Sequence, residues 1–231
     1  MSLLLSLETS TQFCSVAIHR DGAVLSSKLM EAPRSAASQL AVMIEEAVKD
    51  SGVKMKQLSG VVIASGPGSY TGLRIGVATA KGLCYALNIP LISVNTLELM
   101  AIQFLNTASA EILTNNFLLC PMLDARRMEV YCAVFDTKLN SIESVNAKII
   151  NADSFRDLLS HNQIIFFGEG ADKCRSVIIH KNAQFNSQLI PQATYLGEIG
   201  HKKYSLKAFE DLVSFEPFYL KDFLIRKPNT V

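Results

Sequence analysis

The sequence predicts an α/β protein of two similar domains, each built on a mixed sheet whose first three strands are antiparallel. Three observations carry that reading. Residues 61–87 read as a buried strand, a tight glycine loop and a helix. The first half of the chain runs βββαβαβα. The second half then starts the same pattern again, and a long internal repeat outweighs any single element because each copy is one supersecondary unit.

Leu3–Leu7 is a strand that ends in the acidic, hydroxyl-rich turn Glu8-Thr9-Ser10-Thr11. Cys14–His19 is a second strand, and Arg20-Asp21-Gly22 turns it into a third, Ala23–Lys28. Pro33 precedes a helix over Ala36–Asp50. Its apolar stripe is Leu40, Met43, Ile44, Ala47 and Val48, with Glu45, Glu46, Lys49 and Asp50 opposite. Val61–Ala64 is short and β-branched, as an interior strand should be. In Gly66-Pro67-Gly68-Ser69-Tyr70-Thr71-Gly72 the glycines permit positive φ or close backbone approach. Ser69 or Thr71 caps the following helix, Leu73–Leu87. Leu91–Val94 is a strand, and Asn95 with Glu98 caps a helix from Thr96 to near Gln103.

The polar stretch 106–116 has no clear period and marks a domain junction, giving an N-terminal domain over 1–105 and a more degenerate one over 106–231. Phe117–Leu123 is a strand ending in Asp124, followed by strands Val130–Phe135 and Ile142–Ile150. Ser154-x-x-Asp157 opens a short helix. Ile164–Phe167 ends in Gly168-Glu169-Gly170, an echo of Gly66-Pro67-Gly68. Placing Glu8 on Asp124 aligns the second strands without a gap, Val16 on Cys132 and Ile18 on Val134. Residues 181–198 carry no readable pattern.

The helix Leu73–Leu87 has only Arg74 and Lys81 as charges, so it has no wide polar face. Small residues recur in two rows, Gly72/Gly76/Ala80 and Ala78/Gly82/Ala86. An all-round apolar helix is covered on more than one side. Either it is sandwiched inside its own domain, or one face meets the sheet and the other a second subunit. At about 22 Å it is too short to span a membrane. Met43, Ala47, Gly72, Gly76 and Ala80 are the expected partner-binding residues, and Ala80→Arg is expected to break the contact and spare the fold.

Composition bounds the chemistry. With 231 residues, 49% apolar and 19% charged, the chain fits a globular protein that folds without staples. Five cysteines with no C-x-x-C pair read as core residues in a reducing compartment, and no leader peptide is apparent, so a cytoplasmic protein is expected. A net charge of +1 gives no general pull toward nucleic acid or membrane. The glycine loop is neither a phosphate-binding P-loop nor a dinucleotide fingerprint. An anion at the helix N-terminus and helix-to-sheet packing both account for it. Glu8 and Asp124, at equivalent strand ends, suit a magnesium–nucleotide cleft with Gly168 and Gly170, although an acid there also simply caps a turn. His19, His161, His180 and His201 have no ligand spacing and read as surface or loop residues. The basic tail (Lys221, Arg226, Lys227) and Lys202-Lys203 read as solvated surface.

With these residues in view, the sequence resembles the TsaB (YeaZ) family. The carrying motifs are Leu7-Glu8-Thr9-Ser10, the stretch from Gly66 to Gly76, Leu123-Asp124-Ala125-Arg126-Arg127-Met128-Glu129-Val130-Tyr131, and Glu216-Pro217-x-Tyr219-Leu220. The resemblance implies two duplicated actin-like ATPase (ASKHA, ribonuclease H-like) domains with mixed sheets. It further implies a non-catalytic subunit of the machinery that makes N6-threonylcarbamoyladenosine beside the tRNA anticodon. Its implied partners are TsaD, the catalytic paralogue, and TsaE, with tRNA met through the complex, no membrane, and a homodimer when the chain is alone. No cofactor is implied on this chain, ATP and magnesium belonging mainly to TsaD. Where TsaD carries metal-binding histidines, this chain has Arg34-Ser35-Ala36-Ala37-Ser38-Gln39-Leu40, and Glu8 stands where the family usually has Asp. Two enzyme readings stand beside it, a glycoprotease-like M22-type metallopeptidase and an actin-like ATPase. Neither has a zinc site or nucleophile constellation in the sequence.

Overall fold

The computed structural model describes residues 1–31, 36–109, 112 and 117–221, with residues 36–38 in backbone only. The expected tail residues Arg226 and Lys227, and Arg34 and Ser35, lie outside the described residues.

Two five-stranded sheets share one strand order. In the first, β3 (Ala23–Glu31), β2 (Phe13–Arg20) and β1 (Leu3–Glu8) are antiparallel, and β4 (Gly60–Ala64) and β5 (Leu91–Val94) continue parallel to β1. In the second, β8 (Ser141–Ile149), β7 (Glu129–Phe135), β6 (Phe117–Asp124), β9 (Gln163–Phe167) and β10 (Ala183–Asn186) repeat that order and those directions. The central strands β1 and β4 are buried along their whole length, which is why they read as unbroken apolar runs. Edge strands β3 and β8 hold only half-buried and exposed residues.

One face of the first sheet carries α1 (Ala36–Asp50) and α2 (Tyr70–Leu87). Leu5, Leu7, Val16 and Ile63 meet Leu40, Ile44, Val77 and Cys84 there. On its other face Leu4, Ala17, Val62 and Ile92 pack with Leu99, Ala193 and Leu196. Leu99 belongs to α3 (Thr96–Thr107), whose Leu97, Met100 and Phe104 pack on Leu119, Ala133 and Phe167 of the second sheet. α3 is thus the layer between the sheets. The far face of the second sheet is covered by α4 (Arg156–His161) and α5 (Ala171–Cys174). All five cysteines are free and buried.

The chain then returns to the first sheet. A 3-10 turn (Ala193–Leu196) leads to α6 (Gly197–Ser205), a helix that, like α5, the sequence reading did not reveal. Residues 105/106 fall between the strands of the two sheets, but the covering layers do not follow that division. His19, expected at the surface, is fully buried at this return. Its Nε2–H donates to the Thr194 carbonyl (3.1 Å) and its Nδ1 accepts from Ser6 Oγ (3.0 Å), and burial holds its pKa below the usual histidine value.

Two local expectations are adjusted. α2 begins at Tyr70, with Ser69 as the cap that accepts from Gly72 N at 3.3 Å. α4 begins at Arg156, because the Ser154 hydroxyl bonds Asn151 instead of capping the helix. The gapless repeat also slips. Leu7 pairs with Val16, whereas Met122 pairs with Cys132, so β1 matches β6 one residue out of step with the match of β2 to β7. Glu8 therefore corresponds to Leu123, and Asp124 to Thr9.

Candidate functional site

The glycine loop and α2 seat themselves on the turn after β1. A Cβ on Gly72 would lie 2.0 Å from the Thr9 carbonyl oxygen, and one on Gly76 would lie 2.2 Å from Thr9 Oγ1 and 3.1 Å from Ile63 Cδ1. Such contacts leave room for hydrogen alone. Thr9 Oγ1 donates to the Gly72 carbonyl (2.8 Å), and Ser69 N donates to the Ser10 carbonyl (2.6 Å). Ala80 completes this row and is fully buried. The row Gly72/Gly76/Ala80 thus faces inward, and Met43 and Ala47 of α1 are buried in the same core. None of these five expected partner residues lies open on this chain, and Ala80→Arg would strike the core.

The other row is turned outward. Ala78, Gly82 and Ala86 are exposed, Gly82 has nothing within 4 Å of its Cβ position, and Tyr85 beside them is 83% exposed. On α1, Ala41, Val42, Glu45 and Glu46 are exposed. The two charges of α2 have local duties. Arg74 Nη1 donates to the Tyr70 hydroxyl at 2.8 Å. Lys81 Nζ donates to the carbonyls of Val213 (3.1 Å) and Phe215 (3.0 Å).

Those carbonyls belong to a strap that sequence reasoning saw only as a motif. Its Phe218 N donates to the Ser65 carbonyl at 2.8 Å, and the Phe218 carbonyl oxygen lies 2.7 Å from the Cβ position of Gly66, whose φ is +117°. The glycine therefore serves the approach of the strap. Tyr219 then rests against Tyr70, and Lys221 pairs with Glu129 at the start of β7. Beside the Glu216-Pro217-x-Tyr219-Leu220 motif, Lys81 within a largely apolar helix was the sequence signal for the strap.

At the interdomain turns, Glu8 is fully enclosed. Its Oε1 accepts from Ser10 N (2.5 Å) and Ser10 Oγ (2.5 Å), while Oε2 is buried without a partner. Burial outweighs those two bonds and raises its pKa to about 7. Asp124, by contrast, is exposed, accepts from Arg126 N (2.6 Å) and pairs with Lys173 (2.6 Å). A Cβ on Gly168 would meet Met100 Cε at 2.4 Å and Met122 O at 2.6 Å, and one on Gly170 would meet Leu123 C at 2.8 Å. Both glycines are accounted for by close packing on β6 and α3. The set does not fit a magnesium–nucleotide site. One acid is enclosed and held toward its protonated form by burial, the other is paired with a lysine, and the two are not equivalent in register. Among the described residues no three His, Cys, Asp or Glu side chains gather as a metal site.

Two mixed sheets of common order, facing each other across α3, define the actin-like ATPase fold, carried here with an outward apolar helix. The profile of the family described as TsaD, tRNA N6-adenosine threonylcarbamoyltransferase, matches residues 30–222. The tRNA threonylcarbamoyladenosine biosynthesis protein TsaB of Haemophilus influenzae is 28% identical over 228 residues, covering 95% of this chain and 93% of that one. The TsaB of Escherichia coli is 31% identical over 140 residues, 60% of this chain and 57% of that one. A Pseudomonas aeruginosa crystal structure described as similar to the peptidase YEAZ superposes with a TM-score of 0.82 at 25% identity, covering 96% and 100% of the two chains. The chain belongs to this family of threonylcarbamoyltransferase-like proteins, on its TsaB (YeaZ) branch. No helix among the described residues is long and apolar enough to cross a membrane.

Proposed function

We propose that this chain is the non-catalytic partner subunit in the formation of N6-threonylcarbamoyladenosine on tRNA, and that it docks the transferase TsaD through the outer face of α2. The observation that carries the reading is the solvent-facing row Ala78/Gly82/Ala86 with the exposed Tyr85 on the same helix. Small residues along a helix let a partner helix approach closely, and an apolar strip of this kind is seldom left in water. Without the transferase the same strip pairs with a second copy about a twofold axis. TsaE joins the complex, tRNA is met within it, and ATP with magnesium belongs to the other subunits. The enclosed Glu8 and the lysine-matched Asp124 support a chain that performs no nucleotide chemistry itself. The peptidase and ATPase readings would each need a metal or magnesium–nucleotide site, and among the described residues neither is formed.

Gly82→Arg tests the reading. The Cβ position is open, so the fold accepts the change, while an arginine on the strip adds bulk and an unpaired charge to the contact. The expected outcome is a folded monomer by circular dichroism and sedimentation that no longer co-purifies with TsaD. A folded variant that dimerises and binds TsaD like the parent places the interface elsewhere.

A further inference from the structure

The strap over α2, residues 210–221, forms no helix and no strand, and none of its residues is buried. It is held at separate points along its length. Glu210 N donates to the Leu91 carbonyl of β5 at 2.9 Å, and the Glu210 carboxylate accepts from the Ser93 hydroxyl. Leu212 and Phe215 then lie half-buried against the core under α1 and α2. Beside them Lys81 Nζ holds the carbonyls of Val213 and Phe215. The far end is fixed by Phe218 N on the Ser65 carbonyl, by Tyr219 on the Tyr70 ring and by Lys221 on Glu129. The strap therefore runs from β5 of the first sheet, along α2, to β7 of the second. A segment with no buried residue, tied through exposed contacts, opens at lower free energy than the sheets it joins.

Lys81 grips the strap backbone from α2 itself. It shares a side of the helix with Ala78, three residues before it, and Tyr85, four residues after it. Both of those residues are exposed on the outer face. An ammonium donating to two carbonyls makes stronger bonds than a neutral donor would. Without the strap, the same ammonium stands as an unpaired charge beside the small-residue row.

We propose that the strap is a clasp on α2 with Lys81 as its latch, and that the closed clasp is the form in which α2 receives its protein partner. Closed, it draws the ammonium onto backbone carbonyls beside the row Ala78/Gly82/Ala86. Open, it leaves a charge that a partner seated on the apolar row must desolvate without a counterpart. Docking and closure therefore favour one another, and by linkage each does so by the same factor. Lys81 is a positioning residue here, since it acts through the strap. That the partner is TsaD rests on the docking function proposed above, whereas the clasp is a property of this chain alone.

Hydrogen exchange at the Phe218 amide reads the clasp, because that amide bonds Ser65 only while the strap is closed. Lys81→Met keeps the apolar stem and removes the donors. In the chain alone it should speed exchange at Phe218 about tenfold and leave the amides of β4 at parental rates. Lys81→Arg restores donors and should return most of the protection. Saturating TsaD should slow the Phe218 amide of the parent by about tenfold or more. Parental exchange in Lys81→Met overturns the latch. Faster exchange throughout β4, or a variant that does not fold, overturns it too, by making Lys81 a prop of the whole fold. A Phe218 amide that TsaD leaves unchanged on binding overturns the coupling. If TsaD does not bind the parent at all, the docking function and the coupling fall together. The comparison of Lys81→Met with Lys81→Arg then still decides the clasp.

Discussion

Gly72, Gly76 and Ala80 descend one side of α2 at four-residue spacing, and Ala78, Gly82 and Ala86 descend another. Gly72 and Gly76 of the first row are pressed onto Thr9 and Ile63, where even a methyl group would collide, and Ala80 is buried, whereas the second row is exposed. Spacing and residue type are the same. What differs is the neighbour, a turn carrying Thr9 at the end of β1 in one case and solvent in the other. Small residues at helical spacing therefore announce a close approach without saying to what.

The largest effects should come from the inner row. Ala80→Arg buries an unpaired charge and is expected to cost several kcal/mol, enough to leave the protein insoluble or unfolded by circular dichroism. Gly76→Leu should cost about 3 kcal/mol or more, because Thr9 and Ile63 cannot both retreat, and urea denaturation would read it. A soluble, fully stable Ala80→Arg protein would mean that the inner row is not packed as described.

Next comes the buried acid at the end of β1, Glu8. Burial raises the folded pKa of Glu8 to about 7 from an ordinary 4.5, so the folded state holds its proton more tightly than the unfolded one. Its contribution is greatest below about pH 4.5, falls as pH rises to about 7, and is flat above, a loss of about 3 kcal/mol at most. Buried His19 acts oppositely. Its folded pKa is lowered, so its contribution is complete above 6.5 and is lost as pH falls below that value. Urea midpoints across pH 5–9 should show the two slopes opposing one another. In Glu8→Gln the decline toward pH 7 should vanish while the acid-side loss remains.

Much of this was legible in the sequence. Glycine-bounded apolar runs revealed the strands of the sheets up to β9, and the all-round apolarity of α2 singled it out. α6 was missed for a physical reason. It docks through Gly197 against His19 (2.2 Å to its Cβ position) and Gly200 against Val62 (2.7 Å), so it displays no apolar stripe. The one-residue slip that separates Glu8 from Asp124 was invisible because β6 is buried on both faces and its residues carry no alternation to set the register. Choosing between the rows of α2 needed the position of Thr9.

A smaller effect sharpens the same comparison. Gly82→Ala, on the outer row in open space within a helix, should gain about 0.5–1 kcal/mol, read as a rise in Tm of about 2 °C. The same change at Gly72, where the Thr9 carbonyl oxygen lies 2.0 Å from the new Cβ, should lower Tm instead.

Docking through the outer row of α2 stands or falls on the sedimentation of Gly82→Arg with and without TsaD. The expected protein has parental circular dichroism, sediments as a monomer alone and stays separate from TsaD. A variant of parental fold that still forms the dimer and the TsaD complex would contradict it.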